Sequence, residues 1–150
     1  MSTTDANLSS RRRKIAGAAL VAVLAAVLIA VVVVRGGGEK VINAGGETLV
    51  LVGGKSDVGM AALGRGTLAD VNGCLGWAGR DGGPGTVVVW PHGTNVETPD
   101  PLRVKIDGTF YRLGDTVEVG GGFAESLDPS STLYQQAPES CRSAKLWVAN

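Results

Sequence analysis

The sequence is poor in the side chains that most often carry chemistry. Its 150 residues include one histidine, two cysteines and only 5% aromatic residues. A Ser-His-Asp or Cys-His arrangement would have to use His92, and the chain contains no G-x-S-x-G or C-x-x-C motif. We therefore predict no catalytic residue, no metal ligand and no bound cofactor. A hydrolase that uses His92 is the enzymatic alternative.

Basic and aromatic residues are too few for a typical nucleic-acid surface. After Gly36 the chain has nine Lys and Arg residues against thirteen Asp and Glu residues, so this part is net acidic. Single-stranded nucleic acid is bound in a basic groove with exposed aromatic rings on which the bases stack. We therefore expect no nucleic acid among the partners.

One long apolar run lies near the N-terminus. Residues 15–34 are twenty residues without a charged or strongly polar side chain, enough for a helix of about 30 Å that spans a bilayer. The basic tail, 1–14, predicts a cytoplasmic N-terminus and an extracytoplasmic C-terminal part. The alternative is a cleaved secretory signal, whose apolar stretch is usually about 7–15 residues long. The nearest small-x-small site, 42–44, lies well beyond the run, so we predict a single-pass membrane anchor.

Export gives the two cysteines a role. Cys74 and Cys141 form an even pair in a chain that would fold in an oxidising compartment, which favours a disulfide. On the chain-entropy model, closing this loop would stabilise the fold by about 4 kcal/mol. A redox pair or a metal site is the competing interpretation, and the spacing supports neither.

The remaining sequence predicts a spacer and one all-β domain. Residues 35–46 are rich in glycine without periodicity, which is typical of a flexible spacer. Residues 47–150 contain short apolar runs separated by Gly, Pro, Asp and Asn, the pattern of an all-β domain. We expect short helices only at 58–63 and within 130–136. The expected strands cover residues 48–52, 67–71, 74–77, 86–90, 102–106, 109–113, 116–119 and 145–148.

The clearest local signal is a hairpin that presents a basic face. Asp107-Gly108 suits a type I′ turn, which places Lys105 opposite Phe110 and Arg103 opposite Arg112. Like charges in opposed positions destabilise a sheet unless solvent or an anionic partner surrounds them. We predict a binding surface built from Arg103, Lys105, Phe110 and Arg112. A solvated outer face is the alternative.

Two further residues are candidates at the edge of that surface. Trp90 and His92 end the apolar run 87–90, and we expect them at one end of the domain, beside the basic face. Large rings at strand ends usually fill a small core, so the three tryptophans, Trp77, Trp90 and Trp147, are also predicted to plug the interior. His92 is expected at the rim.

Three sequence blocks carry a resemblance to a known group. NGCLGW at 72–77, VVVWPHGT at 87–94 and YRLGDTVEVGGGF at 111–123 precede a late cysteine and a terminal LWVA. This set resembles a group of small exported bacterial domains of OB-like barrel type over residues 66–149. The resemblance implies the fold and assigns no catalytic residue. Five or six short strands with one disulfide also bury their edges best in a small closed or partly open barrel, with a β-sandwich as the alternative.

The sequence therefore predicts a non-enzymatic envelope binding or interaction module. Its expected partners are the membrane, through residues 15–34, and an envelope protein or a small anionic ligand. A structural or assembly protein of the envelope is the alternative from another class.

Overall fold

The computed structural model describes residues 38–44, 46, 48–56 and 59–150, all within one folded unit, Gly38–Asn150. The predicted tail (1–14) and the predicted transmembrane helix (15–34) lie outside the described residues. Within the described ranges, no helix is long and apolar enough to cross a membrane.

Strands make up 51% and helices 11% of the structure, which confirms the prediction of an all-β domain. Two short helices, α1 (Thr132–Gln136) and α2 (Glu139–Arg142), precede the last strand. The strands are β1 (Lys40–Asn43), β2 (Leu49–Val52), β3 (Ala62–Val71), β4 (Cys74–Trp77), β5 (Thr86–Trp90), β6 (Asn95–Pro99), β7 (Leu102–Ile106), β8 (Thr109–Arg112), β9 (Thr116–Ala124) and β10 (Lys145–Ala149).

Seven strands form a mixed sheet, and five of them pair in a closed ring. The order is β1-β2-β4-β3-β9-β10-β5. β5 pairs in parallel with β10 and antiparallel with β4, so β4, β3, β9, β10 and β5 form a ring. β2 joins this ring by parallel pairing with β4 and β5, and β1 pairs antiparallel with β2. Each ring strand therefore has a partner on both edges.

Two apolar clusters occupy opposite faces of β5 and β10, because alternate residues of a strand point to opposite sides. One cluster contains all three tryptophans, which are buried as predicted. The other lies under α1 and α2 and contains Leu133 and Cys141. In it, Cys74 and Cys141 form the predicted disulfide, with 5.9 Å between their Cα atoms. The disulfide joins β4 to α2.

The other three strands form a separate antiparallel sheet, β6-β7-β8. The β7–β8 register is the predicted one, with Arg103 opposite Arg112 and Lys105 opposite Phe110. Asp107 and Gly108 have φ values of 47° and 82°, as a two-residue type I′ turn requires. The predicted strand 109–113 is one residue too long, because β8 ends at Arg112 and Leu113 is exposed.

The structure differs from the sequence-based expectations elsewhere too: β6 and α2 were not predicted, and two further segments have another structure than expected. Residues 58–63 were expected to be helical, but Ala62 and Leu63 begin β3 and pair with β9. Within the predicted spacer, 35–46, residues 40–43 form β1. This strand is fixed by its pairing with β2 and not by its own pattern. Pairing across the sheet overrides local propensity in both places.

Candidate functional site

The β7–β8 hairpin places two of the three predicted basic residues against one exposed ring. The guanidinium carbon of Arg103 lies 4.1 Å from the centre of the Phe110 ring, and Nζ of Lys105 lies 5.4 Å from it. Phe110 is 43% exposed. The negative face of an aromatic ring attracts cations, which holds these side chains in place without neutralising their charge. We call Arg103, Lys105, Phe110 and Arg112 the hairpin face.

The hairpin face has a rigid support and free charges. On the opposite side of β7, Leu102, Val104 and Ile106 are buried. The carboxylate of Asp115 accepts a hydrogen bond from the backbone N–H of Arg112 at 2.7 Å, so it engages the main chain and not the guanidinium group. None of the three cations forms an ion pair with a described residue. The face can therefore receive an anionic partner.

Trp90 and His92, the two further residues predicted for this surface, have different environments in the structure. Trp90 is fully buried, and its indole Nε1 donates a hydrogen bond to the carbonyl oxygen of Leu75 at 3.2 Å. It therefore serves as a core plug, and its assignment to an accessible binding surface was wrong. His92 is exposed in the turn closed by the hydrogen bond from the Thr94 N–H to the Pro91 carbonyl. It makes no hydrogen bond or ion pair with a described residue that could orient it as a base.

A second surface, which sequence reasoning missed, is an open cavity of about 870 Å³. It lies between the middle of β3, the loop 78–85 with its flanking residues, and side chains of β9 and β10. We call it the tryptophan groove, because Trp77 and Trp147 line it. Its size falls in the range of small-molecule pockets, about 300–1,000 Å³.

The two tryptophans are buried against one side of β3, where Gly64 and Gly66 leave room for their rings. Their ring centres are 5.5 Å apart. A Cβ atom on Gly64 would lie only 2.7 Å from Cζ2 of Trp147, and one on Gly66 would lie 2.8 Å from Cδ1 of Trp77. Such distances are not tolerated, so glycine at these two positions lets β3 pass directly over the indole rings. The rings therefore contribute little exposed surface to the groove, since Trp77 and Trp147 are only 6% and 4% exposed.

Exposed apolar and basic side chains form the rim. Leu63 and Phe123 are 68% and 57% exposed, the two largest values among the described large apolar residues. Phe123 meets Trp147 edge to face with ring centres 4.9 Å apart, and Nζ of Lys145 lies 4.1 Å from the centre of the Phe123 ring. Arg65 and Arg80 also line the groove.

The sequence held only a weak signal for this groove. Phe123 follows a triple glycine, and Lys145 lies two residues before Trp147, which places both on one face of β10. The other lining residues come from distant parts of the chain, so only the strand pairing brings them together.

No group of three or more His, Cys, Asp or Glu side chains suited to a metal occurs among the described residues. Comparisons of the chain with protein-family models, with curated proteins and with solved structures found no match.

Proposed function

We propose that this chain is a membrane-anchored, non-enzymatic binding module of the cell envelope. In this proposal residues 1–14 remain in the cytoplasm, residues 15–34 span the membrane, and the folded unit lies outside. The folded unit binds an envelope protein through the hairpin face. The amino-acid pattern of the first 34 residues supports the anchor, and the surface of the folded unit supports the binding role.

The strand pairings support an OB-like barrel as the scaffold. Numbered along the chain, the five ring strands follow one another around the ring in the order first, second, third, fifth and fourth, and the third and fifth are parallel. This is a five-stranded Greek-key ring of the kind that OB barrels use. A two-sheet sandwich would leave free edges, whereas the ring strands have none.

One observation carries the binding proposal: an exposed aromatic ring with two cations against it and a third cation on the same hairpin, none of which forms an ion pair with a described residue. Arg103 and Lys105 lie within cation–π distance of Phe110, and they project from β7, whose other side is buried. In the unbound protein Arg103 lies opposite Arg112, and repulsion between these like charges destabilises the hairpin. A partner that presents carboxylates would remove this repulsion, and exclusion of water by the Phe110 ring would strengthen the new ion pairs.

The test is site-specific photo-crosslinking in intact cells. A photoreactive phenylalanine at position 110 should form an adduct with an envelope protein. In a chain that also carries Arg103→Glu and Arg112→Glu, the adduct should fall about tenfold, because repulsion would replace attraction. High salt during crosslinking should weaken the adduct as well.

The matched control places the same photoreactive residue at Thr132, an exposed position on α1. An adduct from position 132 with the same protein, or an adduct from position 110 that survives both charge reversals, would contradict the proposal. Circular dichroism of the charge-reversed chain verifies that the fold is intact.

A further inference from the structure

The tryptophan groove is electrostatically unlike the rest of the folded unit. The chain after Gly36 is net acidic, yet three of its nine cations, Arg65, Arg80 and Lys145, line the groove, and no Asp or Glu is among the described lining residues. Arg65 lies opposite Glu118 in the β3–β9 register, although the two side chains form no ion pair. Because a carboxylate is already near Arg65, Arg80 and Lys145 are the cations best placed to attract an anionic ligand.

Apolar surface and charge meet in this groove. Leu63 and Phe123 leave more apolar surface in solvent than any other described large apolar side chain, and both border the same cavity. Exposed apolar surface that is concentrated in a concave site with a few polar groups is typical of ligand binding. The indole Nε1 atoms of Trp77 and Trp147 have no hydrogen-bond partner among the described residues. Both atoms are buried, so the exposed side chains of the rim, and not the indole N–H groups, are the part of the site that a ligand can contact.

From this combination we infer that the tryptophan groove binds a small organic anion that carries an aromatic ring. The ring of the ligand lies against Leu63 and Phe123, and its phosphate or carboxylate group lies at Lys145 and Arg80. A ligand with only the ring, or only the anionic group, would contact only half of the site.

This site is separate from the hairpin face, because the two sets of residues have no member in common. A failure of one proposal therefore leaves the other intact.

The experiment uses the full chain in nanodiscs of zwitterionic lipid and three soluble probes. Phenyl phosphate has the ring and the anion, inorganic phosphate has only the anion, and phenyl glucoside has the ring without charge. Binding is followed by tryptophan fluorescence, because Trp77 and Trp147 line the groove and the chain has only three tryptophans. Phenyl phosphate should bind at least about tenfold more tightly than either of the other probes.

Variants then locate the binding site. Arg80→Glu with Lys145→Glu should weaken phenyl phosphate binding by about tenfold or more, since both changed side chains are at the rim and exposed. Phe123→Ser should weaken phenyl phosphate binding but leave inorganic phosphate unchanged. The matched control, Arg103→Glu with Arg112→Glu, makes the same change of charge on the hairpin face and should leave the affinity within about twofold.

Three results would overturn the inference. They are the absence of saturable binding of phenyl phosphate to the unaltered chain, equal affinity for phenyl glucoside, and an equal loss of affinity in the control pair. The first two need no variant, so misfolding of a variant cannot hide them.

Discussion

At the scale of single residues, the environment of a side chain decides its role more than its chemical type does. Trp90 and His92 are two residues apart, yet one is fully buried and hydrogen-bonded to Leu75, and the other is exposed in a turn. The only histidine of the chain therefore has no described partner, while a tryptophan proposed for the surface fills the core. Glycines show the same effect, because the adjacent residues Gly120, Gly121 and Gly122 differ in the space that the fold leaves for a side chain.

Gly121 is the glycine of β9 at which an added side chain would be tolerated least. It has a φ of +149°, and a Cβ atom there would overlap the carbonyl oxygen of Val148 and lie 2.9 Å from Cα of Ala149. We expect Gly121→Ala to lower the free energy of unfolding by about 2 kcal/mol, from steric overlap and backbone strain. Thermal unfolding should shift down by about 8 °C.

The neighbouring glycine is the control for this prediction. A Cβ atom on Gly120 would meet its nearest atom, Oδ1 of Asn150, at 3.6 Å, which is an ordinary contact. Gly120→Ala should therefore leave the melting temperature nearly unchanged. If both substitutions destabilised the protein equally, the close approach of β9 to β10 at Gly121 would not be the cause.

At the scale of elements, the disulfide fastens the helical segment to the sheet. α1 and α2 are too short to be stable alone, and they are held by Leu133 and Cys141 in the second apolar cluster. Reduction of the bond between Cys74 and Cys141, 67 residues apart, should lower the free energy of unfolding by about 4 kcal/mol. Urea unfolding with and without reductant measures this difference.

A chain with Cys74→Ala and Cys141→Ala separates the crosslink from the reductant. It should unfold at a similar urea concentration in both conditions, and at a lower one than the oxidised native chain. Identical midpoints for the oxidised and reduced native chain would show that the disulfide contributes nothing.

Local signals predicted those elements that depend on local chemistry. The turn and the register of the hairpin were predicted correctly, because Asp107-Gly108 fixes both. β6 and α2 were missed, and so were β1 and the start of β3, because KVIN follows a glycine run and VGMAAL has the composition of a helix. The hairpin face was therefore predictable, whereas the tryptophan groove required the whole ring of strands.

At the scale of the whole molecule, the cations are distributed unevenly. Of nine Lys and Arg residues after Gly36, three lie on the hairpin face and three line the tryptophan groove. Two of the others have partners within the fold: Lys40 donates a hydrogen bond to Asn95, and Arg142 lies 4.5 Å from the centre of the Tyr134 ring. Most of the positive charge of an acidic domain is thus concentrated at its two candidate binding sites.

The structure also bears on how the chain is processed. Cleavage after Ala44, at the small-x-small site, would remove β1 from its pairing with β2. It would remove Val41 and Ile42 from the two apolar clusters, at a cost to stability of about 3 kcal/mol. A mature chain without β1 would therefore be less stable, which argues against cleavage at this site.

We predict that the chain taken from cells is uncleaved and sediments with membranes after alkaline extraction. The intact mass of this material gives the N-terminus directly, and a soluble fragment that begins at residue 45 would contradict the prediction. The energetic argument is tested separately by comparing the urea unfolding of two shortened chains, one beginning at Gly38 and one at Gly45. The longer chain should unfold at a higher urea concentration, because only it can pair β1 with β2. Equal stability of the two would remove the argument from β1 against cleavage after Ala44.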